Sequence, residues 1–121
     1  MNNFETMHEL KAELAGDAQE YARVAARDFF DKALEAEGAE QQELNSKSER
    51  AWASYWIARA EYWAGAAEDA REFTYQSAAL SELRAREHEA EAEHCVARAE
   101  IQFDRSNYHK AEAVQLRGEE E

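Results

Sequence analysis

The sequence predicts an all-α fold, a small three- to four-helix bundle built on a long helical hairpin. Proline is absent and glycine occurs four times in 121 residues, so little interrupts a helix. Ala, Glu, Arg and Gln, all strong helix formers, are abundant. Apolar residues recur with a helical period, and two capping boxes precede them. On length grounds one domain spanning 1–121 is expected, with a core of modest size.

The first helix is expected over about residues 5–37. Thr6 and Glu9 make a T-x-x-E box in which two otherwise orphaned amides are satisfied reciprocally. Met7, Leu10, Leu14, Ala18, Tyr21, Ala25 and Phe29 fall on one face, and Gly38 marks a C-terminal stop. A polar connection, Ala39 to Asn45, follows. Ser46 and Glu49 form a second capping box with Leu44 as a hydrophobic staple, opening a helix over about 47–83. On that helix Trp52, Trp56 and Trp63 lie within about 40° of one another. Tyr55 and Tyr62 flank them, and the stripe continues through Ala66, Ala70, Phe73, Ser77 and Leu80.

Beyond Leu83 the phase fails, because Arg84, Glu87 and Glu91 would occupy the stripe. A kink or turn is therefore expected at 81–87; without it, 47–104 would be one rod of about 87 Å. A new stripe of Ala85, Ala92, Cys95, Val96, Ala99 and Phe103 predicts a helix over 85–104. Ser106-Asn107 reads as a turn, 107–117 as a short last helix, and 118–121 as a frayed acidic tail. The first two helices are expected to pack along their apolar stripes, with the segment after residue 84 folded over both. The tryptophans are then core in the first instance and a binding surface in the second. Large aliphatics are too few for a wide core, which calls for close-packed helices or a homodimer sharing aromatic surface.

A weak repeat runs through VAARDFF (24–30), IARAEYW (57–63) and VARAEIQ (96–102). Around the last copy, ARAEIQFDRSNYHKAEA resembles one tetratricopeptide hairpin, with a small residue at Ala99, a turn at Ser106-Asn107, then Tyr108 and Ala111. The resemblance covers that hairpin and would imply helical-repeat character there. Family membership does not follow from it.

The chain carries 27 acidic against 14 basic residues, a net charge of −13, which disfavours direct binding to nucleic acid or anionic membranes. The same charge attracts a protein partner with a basic surface. The N-terminus lacks a basic region followed by an apolar block, no run of about eighteen apolar residues occurs, and Cys95 is alone. A cytoplasmic protein without disulfides is expected.

The motif that most resembles catalytic chemistry is E-x-x-H, present as Glu5–His8 and Glu91–His94. On a helix it places a carboxylate and an imidazole on one face. With Glu61 upstream, Glu91 and His94 resemble the E…E-x-x-H arrangement of short ferritin-like hairpins, implying a carboxylate–histidine metal site as an alternative function. Against this, Glu87, Glu89, Glu91 and Glu93 alternate as a solvated helix face does, and Glu61 lies opposite the tryptophans. Gly-rich phosphate loops, C-x-x-C and Ser–His–acid sets are missing, so neither enzyme activity nor a cofactor is expected.

The favoured expectation is a non-enzymatic protein–protein interaction module, an inhibitor or adaptor for a basic, nucleic-acid-handling protein. Its acidity and small size are compatible with phage-type anti-defence or DNA-mimic activity. Candidate contacts are Glu35, Glu37, Glu40 and Glu43 at the first connection, and Trp52, Trp56, Arg59 and Trp63 on the aromatic stripe. Arg59 falls between the tryptophans on the wheel, where indole or a carboxylate from Asp17 or Asp28 would offset its charge. A purely structural helical assembly component is the third possibility.

Overall fold

A computed structural model describes the backbone of residues 3–72 and 77–120, and the side chains of 16–72 and 77–119. Three helices make up the fold: α1 (Asn3–Glu35), α2 (Gly38–Glu72) and α3 (Ala78–Glu120). The predicted all-α helical bundle is observed; the repeat is not, since each helix is a single long rod.

Several boundaries differ from expectation. Thr6 lies inside α1, which already runs from Asn3. The polar segment 39–45 is the beginning of α2, and Ser46 sits within that helix as a buried residue. No turn breaks 81–87 or Ser106-Asn107, and the expected helices 85–104 and 107–117 are one helix that runs on through Gly118 and Glu119. The rod over 47–104 does not form either, because α2 ends at Glu72 and α3 begins at Ala78. Ser77 supplies the start signal: its Oγ accepts the Leu80 amide at 3.3 Å and its carbonyl accepts the Ser81 amide at 3.1 Å. Phe73 lies outside the described residues, as do the side chains of the Thr6–Glu9 box and of Glu5 and His8.

Gly38 makes the first turn as expected of a helix stop, with φ at 61°, a left-handed conformation that a Cβ would strain. Beside it the Ala33 carbonyl accepts both the Ala36 amide (3.2 Å) and Gln41 Nε2 (3.0 Å), which pairs one of the last carbonyls of α1.

Between α2 and α3 the seam is built from small residues. Ala39, Ser46, Ala53, Ala60 and Ala67 recur at heptad spacing on α2, and all are buried. Opposite them Ala85, Ala99, Ser106 and Ala113 are buried on α3 in the same spacing, with Ala92 half-buried. One contact fixes the antiparallel register. Ser46 Oγ and Ser106 Oγ lie 2.9 Å apart, and each hydroxyl also reaches the other residue's backbone carbonyl at 2.9 Å. Carried along by heptads, that register sets Ala53 opposite Ala99 and Ala67 opposite Ala85. Side chains this small let two backbones approach closely, and the serines satisfy one another where water is excluded.

A second seam joins α1 to the other flank of α2. Ala22, Ala26 and Ala33 are buried there, and Ser48 Oγ donates to the Ala26 carbonyl at 2.8 Å. Of the Tyr21 stripe expected to pack, Ala25 and Phe29 are half-buried, with Lys47 of α2 over the Phe29 ring at 5.9 Å, whereas Tyr21 itself is 81% exposed; the side chains of Met7, Leu10 and Leu14 lie outside the described residues. The tryptophan stripe is likewise not the core: Trp52, Trp56 and Trp63 are half-buried beside the small-residue line. Among the described residues the largest fully buried side chains are Cys95 and Ser106.

Helices α1 and α3 both pack on α2 but not on each other among the described residues, so the segment after residue 84 does not fold over both earlier helices. The two seams of α2 are about 150° apart around its axis, which produces a shallow three-helix layer instead of a closed bundle. The accessible surface is 8272 Å². A compact monomer of 13.9 kDa presents about 6,700 Å².

Candidate functional site

The layer's two faces differ. On the shallow concave side, α2 contributes Trp52, Tyr55, Trp56, Arg59 and Trp63, α3 contributes His88, His94 and Arg98, and α1 contributes Arg23. These positions follow from the seams: once the Ala and Ser lines are committed to α1 and α3, the residues between them on α2 must line the trough.

Trp56 is its centre. Arg98 lies over its ring at 5.1 Å from the centroid and Arg59 at 5.8 Å. Tyr55 meets the same indole edge-on at 5.2 Å, and the His94 ring lies 6.5 Å away. Trp63 stacks on His88 at 5.2 Å with 24° between planes, while Tyr62 packs edge-on against it. Trp52 meets Tyr55 edge-on at 5.4 Å. Aromatic edges and cations over ring faces are the arrangements that the indole quadrupole favours.

Arg59 finds no carboxylate among the described residues. Asp28 is engaged by Lys32 at 2.9 Å and Asp17 is exposed on the far side of α1, so neither supplies the expected countercharge. Its Nη1 lies 3.5 Å from Tyr55 Oη, and its Nε is buried without a partner among the described residues. Partial burial disfavours the guanidinium's charge, but its contacts with Tyr55 and Cys95 outweigh that and hold its pKa above the ordinary value. Arg23, by contrast, is bound by Glu20 through Nη2 at 2.6 Å, which raises the arginine pKa and lowers that of the carboxyl.

The acidic candidates are dispersed around the first turn. Glu35, Glu37 and Glu40 are exposed, whereas Glu43 is tied across to α3 by Arg117 at 2.5 Å. The metal alternative is not assembled within one copy. Glu61 projects from the convex face of α2, His94 sits against Trp56 on the concave one, and Glu91 is exposed. Among the described residues no group of three His, Cys, Asp or Glu side chains is placed to hold a metal ion. No described helix is long and apolar enough to cross a membrane.

Arg98 and His88 were missed as site residues by sequence reasoning, and His94 was expected only as a metal ligand. The missing signal was register: once Ser46 is set opposite Ser106, these residues fall beside Trp56 and Trp63. No protein-family model matches the chain, and no curated protein or solved structure matches it.

Proposed function

We propose that the protein is a non-enzymatic helical interaction module that binds another protein through the tryptophan and arginine trough. One observation carries this reading. The seams consume alanine, serine and cysteine, and the tryptophans are left half-open with two arginines, Arg59 and Arg98, whose charges no described carboxylate neutralises. Trp, Tyr and Arg are the residues that dominate binding hot spots, because each combines large area with a specific polar contact. The exposed acids Glu35, Glu37 and Glu40 give a second reading, a contact with a basic partner at the α1–α2 turn.

Capture from an extract of the native host, using the wild type and two variants, tests both. Trp56→Ala with Arg98→Ala is expected to lose bound partners while circular dichroism stays helical. Reversal of Glu35, Glu37 and Glu40 to lysine is expected to leave them. The opposite pattern would replace the trough by the acidic turn, and capture unaffected by either variant would overturn both readings.

A further inference from the structure

We infer that the α1–α2 hairpin is the closed form of a hinge at Gly38, and that the chain's second folded form is a dimer in which two copies exchange α1. The trough stands apart from this, since its tryptophans and Arg98 lie on α2 and α3. Three observations carry the exchange. Among the described residues α1 packs on α2 and on no other helix, so the α2 of another copy can supply all that holds it. The connection is short, and the Gln41 amide already reaches the Glu37 carbonyl at 3.5 Å across Gly38, as in a continuous helix. Gly38, with φ at 61°, is the one described residue in the left-handed region. Returning the connection to helical dihedrals, Gly38 above all, joins α1 and α2 into one rod about 105 Å long.

Phase is kept through the connection. On a straight wheel run through Gly38, the buried residues of the α1 seam, Ala22, Ala26, Ala33, Ser48 and Ala58, fall within an arc of about 80°. The heptad line toward α3 lies on the opposite side. Two such rods can therefore pair antiparallel along one face while each α3 stays on the far side of its own α2. The register is self-complementary as well. Ser48 meets Ala26 and Gln41 meets Ala33, pairs that are both centred on Glu37, so a two-fold axis through that residue repeats each contact between copies. Nothing new has to match, because the exchanged seam is the seam already formed. Two features favour the closed form: Gly38 suits the left-handed turn and weakens a helix, and Glu37 would meet its own counterpart on the axis.

Sedimentation equilibrium on the full chain tests this with two variants, and circular dichroism confirms that each remains helical. A short connection holds paired elements at an effective concentration of about a millimolar, so the wild type is expected to be monomeric at micromolar concentration. Gly38→Ala is expected to favour the dimer several hundredfold, about fivefold per hinge from Cβ strain in the turn and about fivefold from helix propensity in the rod. Dimers then appear in the micromolar range. Gly38→Asn, whose side chain tolerates the left-handed turn, is expected to stay monomeric there. Exchange itself is read by disulfide formation in a refolded mixture of two Gly38→Ala, Cys95→Ala chains, one carrying Ala26→Cys and the other Ser48→Cys. The two are expected to become linked, since the exchanged seam brings these positions of different copies together. A Gly38→Ala chain that stays monomeric up to millimolar concentration overturns the proposal. So does a dimer whose cysteine mixture fails to link, and so does a Gly38→Asn chain that dimerises as readily as Gly38→Ala.

Discussion

The two seams of α2 use the same small residues to different extents. Toward α3, alanine and serine recur without interruption from Ala39 to Ala67, and serines close on each other at Ser46 and Ser106. Toward α1 the buried line is Ala22, Ala26 and Ala33, and the α2 side mixes Ser48 and Ala58 with half-buried Gln41 and Tyr55. The first seam leaves no room for side-chain adjustment, because what meets across it is close to bare backbone. The second has longer side chains that can repack. The hairpin of α2 and α3 is therefore the rigid unit, with α1 attached along its edge.

The sharpest way to break that contrast is overpacking. Ala99→Leu, in the α2–α3 seam, is expected to cost about 3 kcal/mol, and Ala26→Leu, in the α1 seam, nearer 1 kcal/mol because α1 can shift outward. Urea unfolding of both variants measures the difference; equal losses would erase the distinction between the seams. Next in size is the serine lock. Ser106→Ala alone is expected to cost about 1 kcal/mol, and the Ser46→Ala, Ser106→Ala double variant less than the sum of the singles, since no hydroxyl is then stranded. A strictly additive cycle would mean the hydroxyls act independently.

Gly38→Ala probes the hinge that aligns the α1 seam. With φ at 61° the substitution is expected to cost about 1 kcal/mol, without altering the α2–α3 hairpin as followed by amide exchange. The smallest effect concerns charge at the far end of the hairpin. Arg71, bonded to Glu82 and Glu89, lowers the Glu82 pKa from its ordinary value of 4.5. A lowered carboxyl pKa favours the folded state while the group is ionised, so this contribution is full above pH 4.5 and is lost on acidification below it. Glu82→Gln is expected to flatten the acid limb of the stability profile slightly, as the pair is solvent-exposed.

Much of the fold was legible before the structure. Helical composition, the stop at Gly38 and the single tryptophan stripe all follow from propensity and period. The buried faces did not, for a physical reason. A wheel weighted by hydrophobicity ranks tryptophan above alanine, whereas close helix packing selects for size. The heptad line Ala39, Ser46, Ala53, Ala60 and Ala67 is present in the sequence, but alanine is so frequent here that the line does not stand out. The same bias turned Ser46 and Ser106 into a cap and a turn, their commonest roles on exposed chain ends. The phase change after Leu83 was real but displaced. It reflects a new helix whose buried line opens at Ser81 and Ala85, and its cap is Ser77. Within the trough, Trp52, Trp56, Arg59 and Trp63 could be grouped from spacing alone, while their α3 neighbours required the register.

A core of alanine, serine and cysteine also governs how the molecule responds to heat. Unfolding changes heat capacity in proportion to the apolar surface newly wetted, and here many large apolar groups, Tyr21, Phe30 and Leu34 among them, are wet already while the tryptophans are half-buried. The single layer should have a heat-capacity increment below the usual ~12–15 cal/mol/K per residue and hence a flat stability curve. Its cold and hot limits move apart, and the temperature of maximum stability becomes a broad plateau.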